Sequence, residues 1–269
     1  MKSRRNDFRL VWRVVPLVAV ALLAKLAVDL LGLDTVELNA LYSGLVAATV
    51  FLIGFLLAGT LADFKESERL PGELAGRAET IADECQILYR EQAAGAARGC
   101  IEHLDRLTKA TSAWLHGKER VETVLDEIEG LNRYFLEFQP LTQPNFIVRL
   151  KQEQSVLRLL VLRVNTIRET SFVGAGYVVA EITSGLLVSS LVFANIAALG
   201  AELFLLGTIT FLLAYMISLI KDLDDPFEYD GERRMGSAEV SLGAIHYLER
   251  RMAREVEALD ADVRPPQHA

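Results

Sequence analysis

Apolar positions are spread unevenly, gathering into four long runs separated by strongly charged sequence. The first, Val11–Leu33, is interrupted by Arg13, Lys25 and Asp29, whereas the second, Leu41–Ala62, holds no charge. The third covers about Phe172–Leu199 with one acid, Glu181, and the fourth, Leu203–Ile220, is again free of charge. A helix rises about 1.5 Å per residue, so about 20 apolar residues cross the ~30 Å of hydrocarbon in a bilayer. Four transmembrane helices are predicted. The first run begins on basic residues like a signal peptide, but it is too long, carries Lys25 inside and lacks a small-x-small cleavage site, so it reads as a retained helix.

Between runs two and three the period turns helical and the residues turn polar. Ile101, Leu104, Leu107 and Trp114 keep helical spacing, as do Val121, Val124, Leu125, Ile128, Leu131, Phe135 and Phe138. Pro140 and Pro144 bracket a break, and Phe146–Thr170 then runs on with Leu150, Leu157, Leu160, Val161, Val164 and Ile167 on one face. Gly72, Gly76, Gly95, Gly99 and Gly117 mark weaker joints, no strand pattern is visible, and the tail Asp260–Ala269 with Pro265 and Pro266 reads as disordered. The expected fold is therefore all-α: residues 1–62 with spans one and two, a helical region 63–170, spans three and four in 171–222, and a tail 223–269.

Lysine and arginine on the short flanks set the expected orientation. Residues 1–10 hold four basic residues, the loop Asp34–Ala40 holds none, and neither does the turn Gly200–Glu202. Both turns then face outward, and the N-terminus, residues 63–170 and the tail from Lys221 lie in the cytoplasm. A reducing cytoplasm leaves Cys85 and Cys100 as free thiols.

The chain has 269 residues, 51% hydrophobic and 24% charged, and a net charge of −8. That acidity argues against nucleic-acid binding, which calls for a basic excess. It is concentrated in 63–170, with 15 basic and 18 acidic residues, and in 221–269, with 7 and 12. Glu119, Glu122, Asp126, Glu127, Glu129 and Glu137 crowd one helix, as a solvated face or as the lining of a vestibule that gathers cations. His103, His116, His246 and His268 share no ligand spacing with each other or with the cysteines, so no metal is expected. Without a phosphate-cradling glycine loop or a Gly-x-Ser-x-Gly elbow, neither an enzyme nor a cofactor is expected.

Charge inside a span is costly and is usually paired or functional. Lys25 and Asp29, four residues apart, can neutralise each other on one helix face. Glu181 can pair with Lys25, line a watery path or stay protonated. On span two Phe51 and Phe55 share a face that Ala47 extends in one direction and Ala58 or Gly59 in the other. Such a stripe suits an apolar constriction in a symmetric oligomer, or ordinary packing in which Gly54 and Gly59 let helices approach.

The segment Phe51-Leu-Ile-Gly54-Phe55-Leu-Leu, followed by Asp63-Phe-Lys-Glu-Ser-Glu68-Arg-Leu70-Pro71, resembles the second transmembrane helix of bestrophins and the Leu-Pro element after it. Leu223-Asp-Asp-Pro226-Phe227-Glu-Tyr-Asp230 resembles the Pro-Phe-acidic motif after their last span. The order of spans and the helical insert are similar to bacterial members. The resemblance implies a homopentameric ion channel in the inner membrane, with the lipid bilayer, further copies of itself and permeating ions as partners. It makes Phe51 and Phe55 a hydrophobic neck, with Ala47 where a larger aliphatic is usual. Phe64 and Lys65 replace the family's paired tryptophans. Where animal members carry a calcium-binding aspartate run, this chain has Glu228, Tyr229, Asp230, Gly231, Glu232 and Arg233. Anion or cation selectivity does not carry over. The rival expectations are a non-conducting scaffold or sensor, and a transporter built on Glu181 and the Lys25–Asp29 pair.

Overall fold

A computed structural model of the chain describes residues 9–33, 40–92, 94–170, 174–195, 198–227, 229–230, 233–234 and 239–263. Helices dominate: α1 Arg9–Leu31, α2 Ala40–Ser67, α3 Leu70–Gln92, α4 Gly95–Leu115, α5 Val121–Phe138, α6 Pro144–Glu169, α7 Gly174–Val192, α8 Leu199–Asp224 and α9 Gly243–Val263. One two-residue ladder, β1 Tyr229–Asp230 with β2 Arg233–Arg234, pairs antiparallel where the sequence showed no strand pattern. The basic residues Lys2, Arg4 and Arg5, most of the loop Asp34–Ala40, Phe172, Val173, Glu228, Gly231 and Glu232 fall outside the described residues.

The chain divides into two compact units. One comprises Met1–Phe64, Ser171–Pro226 and Gly236–Ala238; the other comprises Lys65–Thr170, Phe227–Met235 and Glu239–Ala269.

In the first unit α1, α2, α7 and α8 are long and apolar enough to cross a membrane. Backbones of α1, α7 and α8 approach one another closely. Val28 of α1 meets Leu191 and Val192 at the end of α7 and Leu206 of α8. Helix α2 joins through side chains: Ile53 and Leu56 pack with Ala180, Leu187, Leu213 and Ile220. Its 28 residues correspond to ~42 Å at ~1.5 Å per residue, longer than the hydrocarbon requires.

The second unit is built around α4, which packs on α3, α5 and α9 while α6 closes against α3 and α5. Cys100, Leu104 and Trp114 of α4 are buried together with Ile81 and Cys85 of α3 and Ile128, Leu131 and Phe135 of α5. His103 crosses to α5 and meets the Glu127 carbonyl at 2.7 Å. Gly130 makes that possible, because a Cβ there would stand 2.6 Å from the imidazole. Helix α4 stops at Gly117, whose φ of +70° lets its N–H reach the Trp114 carbonyl at 2.9 Å while Lys118 reaches Ala113 at 2.9 Å.

The tail departs from expectation. Asp260, Ala261, Asp262 and Val263 are the last residues of α9, not disordered chain, and only 264–269 lie outside the described residues. Ile245, Leu248, Met252 and Leu259 recur at helical intervals and are buried. Arg251 then binds Glu79 at 3.0 Å and Glu255 at 2.8 Å, and pairs with Asp83. Arg98 holds Asp260 at 2.6 Å and donates to the Leu259 carbonyl. Of the glycines read as joints, Gly72, Gly76 and Gly99 lie inside helices.

Cys85 and Cys100 are free and wholly buried. A hydrogen bond with Cys100, then burial, raise the Cys85 thiol well above the usual range, so the reactive thiolate is suppressed. Alkylation of both by iodoacetamide at neutral pH should run at least about 100-fold slower in the folded chain than in urea. Equal rates, read by mass spectrometry, would contradict this packing.

Candidate functional site

Five residues of α2 form one exposed line: Ala47, Phe51, Gly54, Phe55 and Ala58. Phe51 is 76% and Phe55 59% exposed, while Ile53 and Leu56, on the other side of the helix, are 4% and 1%. Residues four apart lie ~40° apart around a helix, so Ala47, Phe51 and Phe55 stack one above another. A Cβ on Gly54 would meet nothing within 4 Å. Two large rings thus stand on a side of α2 that the described residues leave uncovered.

Glu68 is exposed in the turn after α2, and Leu70 and Pro71 are buried at the start of α3. Proline suits that first turn, where a backbone N–H has no helical acceptor. At the other motif Pro226 is buried just after α8, and Phe227 is 2% exposed. The backbone of Asp230 pairs with Arg233 in the short ladder, and Tyr229 donates its hydroxyl to the Val240 carbonyl.

The intramembrane charges are arranged differently from the simplest reading. Lys25 is 0% exposed, and its ammonium meets Glu202 at 2.8 Å and donates to the Ala194 carbonyl at 2.6 Å. The Lys25–Asp29 pair expected from spacing is therefore replaced by one with Glu202. The reason is the face Lys25 occupies: it shares α1's contact with α7 and α8, which Val28 also makes, whereas Asp29 is one residue further round. Glu202 lies in the first turn of α8, where a carboxylate complements the partial positive end of a helix. Glu181 pairs not with Lys25 but with Lys221 of α8, and both side chains are about half exposed.

By sequence, Glu202 counted only as the end of an outward-facing turn without basic residues. The available signal was Lys25 itself, since a cation embedded in an apolar run needs an acid at matching depth on a neighbouring helix.

The acidic helix is α5, preceded by Glu119. Glu119, Glu122, Asp126, Glu129 and Glu137 are exposed. Arg120 pairs with Glu122 at 3.1 Å and Arg133 with Glu137 at 3.2 Å. Among exposed groups such pairs contribute at most about 1 kcal/mol.

Four long apolar helices and a second unit built of helices define an all-helical, four-span membrane fold. It is the fold of bacterial bestrophin homologs. Crystal structures of two single-substitution variants of the Klebsiella pneumoniae bestrophin homolog match with TM-scores of 0.71 and 0.74 at 16% and 14% identity. The matches cover 94% and 93% of this chain and 99% of each of theirs. A crystal structure described as a membrane protein matches at a TM-score of 0.70 and 17% identity, over 97% of this chain and 99% of that one. No family model and no curated protein matches the sequence.

Removing one partner of the buried pair isolates how much the bundle needs it. Lys25→Met leaves Glu202 buried without its cation and should destabilise the chain by ~3–5 kcal/mol. Lys25→Met with Glu202→Gln should recover much of that loss. Melting in detergent, followed by tryptophan fluorescence, checks both, and two variants melting alike would show that the pair is not coupled.

Proposed function

We propose that the chain is a passive ion channel of the bestrophin kind, assembled from five copies around a central pore lined by α2. The observation that carries this reading is the uncovered Phe51–Phe55 face of α2, on a helix whose other side packs against α7 and α8. In a ring of copies those phenyl groups form two stacked apolar constrictions, with the smaller Ala47 one turn away. An apolar ring of small radius excludes water, and ions cross only when the ring widens enough to wet.

Apolar rings discriminate poorly by charge, so preference between anions and monovalent cations falls to ring width and to charges at the mouth. The exposed acids of α5 supply a cation bias if they line that mouth. Gly54, Glu68, Leu70, Pro71, Pro226, Phe227 and Asp230 are read as the elements that shape and end the pore helix and the last span. The membrane is the inner membrane, with both termini cytoplasmic, on the strength of the basic N-terminal flank.

Stoichiometry in detergent and current across planar bilayers test the proposal together. Five copies per particle and a passive current are expected, and Phe51→Ala with Phe55→Ala should raise conductance several-fold by widening the neck. A monomer or dimer without current would favour a scaffold or sensor. Current unchanged in the double variant would remove α2 from the pore.

A further inference from the structure

Helices α7 and α8 line an open groove of about 460 Å³, to whose wall Leu17 of α1 contributes. One end is marked by the Glu181–Lys221 pair, and Ser184, Ser218, Ser189 and Thr210 follow along its length between Val188, Leu213 and Ile217. Volume and lining suit a bound molecule with an apolar body and few polar contacts.

Two hydroxyls single out this slot. Four other serine and threonine hydroxyls in these spans satisfy themselves on the preceding turn: Thr49 on Leu45, Thr60 on Leu56, Thr183 on Val179 and Ser190 on Leu187. Ser184 and Thr210, 6% and 1% exposed, have hydroxyl oxygens that are buried and unpartnered. An unpaired buried hydroxyl costs about 1–3 kcal/mol, and both residues line the slot.

The charged end is likewise unsaturated. An ammonium has three donors and a carboxylate two acceptor oxygens, so Lys221 and Glu181 can hold each other and still bind another group each. Together they present a cation and an anion side by side, complementary to a headgroup carrying a phosphate and an ammonium. Ser184 lies one turn beyond Glu181, ~4.5 Å along the helix, at the depth of the glycerol esters beneath a phosphate. Thr210 stands at the far end, ~16 Å from Lys221 along α8.

We propose that the α7–α8 slot binds one zwitterionic phospholipid per chain. Its phosphate meets Lys221 and its ammonium Glu181, its ester region meets Ser184 and Ser218, and an acyl chain runs past Val188 and Leu213. The site rests on α7 and α8 spanning a bilayer and is independent of whether α2 conducts.

Native mass spectrometry of the full chain, delipidated in detergent and titrated with phosphatidylethanolamine or phosphatidylglycerol, tests it. One bound phosphatidylethanolamine per chain is expected, held about tenfold more tightly than phosphatidylglycerol. Gly185→Leu fills the slot, since a Cβ at Gly185 meets nothing within 4 Å, and it should abolish that binding at unchanged stoichiometry. Lys221→Gln should weaken it about tenfold, and it carries the test if Gly185→Leu fails to fold. Equal affinity for both lipids, or binding indifferent to both variants, overturns the proposal. So does Gly185→Leu splitting an oligomer, because the slot would then seat a second copy of the chain. Bilayer current decides the channel reading separately, so either idea can fail alone.

Discussion

An ammonium withdrawn wholly from solvent holds the first unit together. Between helices in a bilayer the hydrophobic effect offers little, because lipid tails are as apolar as leucine. Lys25 supplies direction instead. It binds the acid in the first turn of α8 and a carbonyl just past the end of α7, so one side chain on α1 fixes two neighbouring helix ends. Both contacts follow helix polarity: an acid near an N-terminus and a cation near a C-terminus. The apolar contacts of Val28, Leu191, Val192 and Leu206 lie around that point.

The second unit is held by ordinary means. Its helices are amphipathic, its centre is α4, and its apolar face is covered on several sides. Charge acts there at the rim, where Arg251 and Arg98 tie α9 to α3 and α4. The contrast reflects solvent. Water drives leucines together in the second unit, whereas in the first a buried ion pair and close-fitting side chains have to do it.

Much of this was legible in the residues. Uninterrupted apolar runs give α2 and α8 because length and charge-free composition are local properties. The Phe51–Phe55 line is equally local, being fixed by a four-residue spacing. What escaped depends on partners distant in sequence. Lys25 has Asp29 one turn away, yet its acid is 177 positions on, a choice made by helix packing that spacing does not encode. Helix α9 was hidden because its apolar stripe is thin and richly charged, and only the α3–α4 surface makes sense of it. The slot hydroxyls look like any serine or threonine in a span until their neighbours are known to be satisfied and they are not.

The second unit has an order of assembly written into it. Its helices α3 to α6 are made before α7 and α8, and α9 only after them, so the unit is discontinuous along the chain. During synthesis, at ~5–20 residues per second, α3 and α4 wait several seconds or more for the helix that covers them. The apolar surface destined for Leu248 and Met252 stays open through that interval. Completion of this body is thereby coupled to successful passage of the last two spans, and a chain that stalls there leaves a sticky, unfinished face for quality control to find.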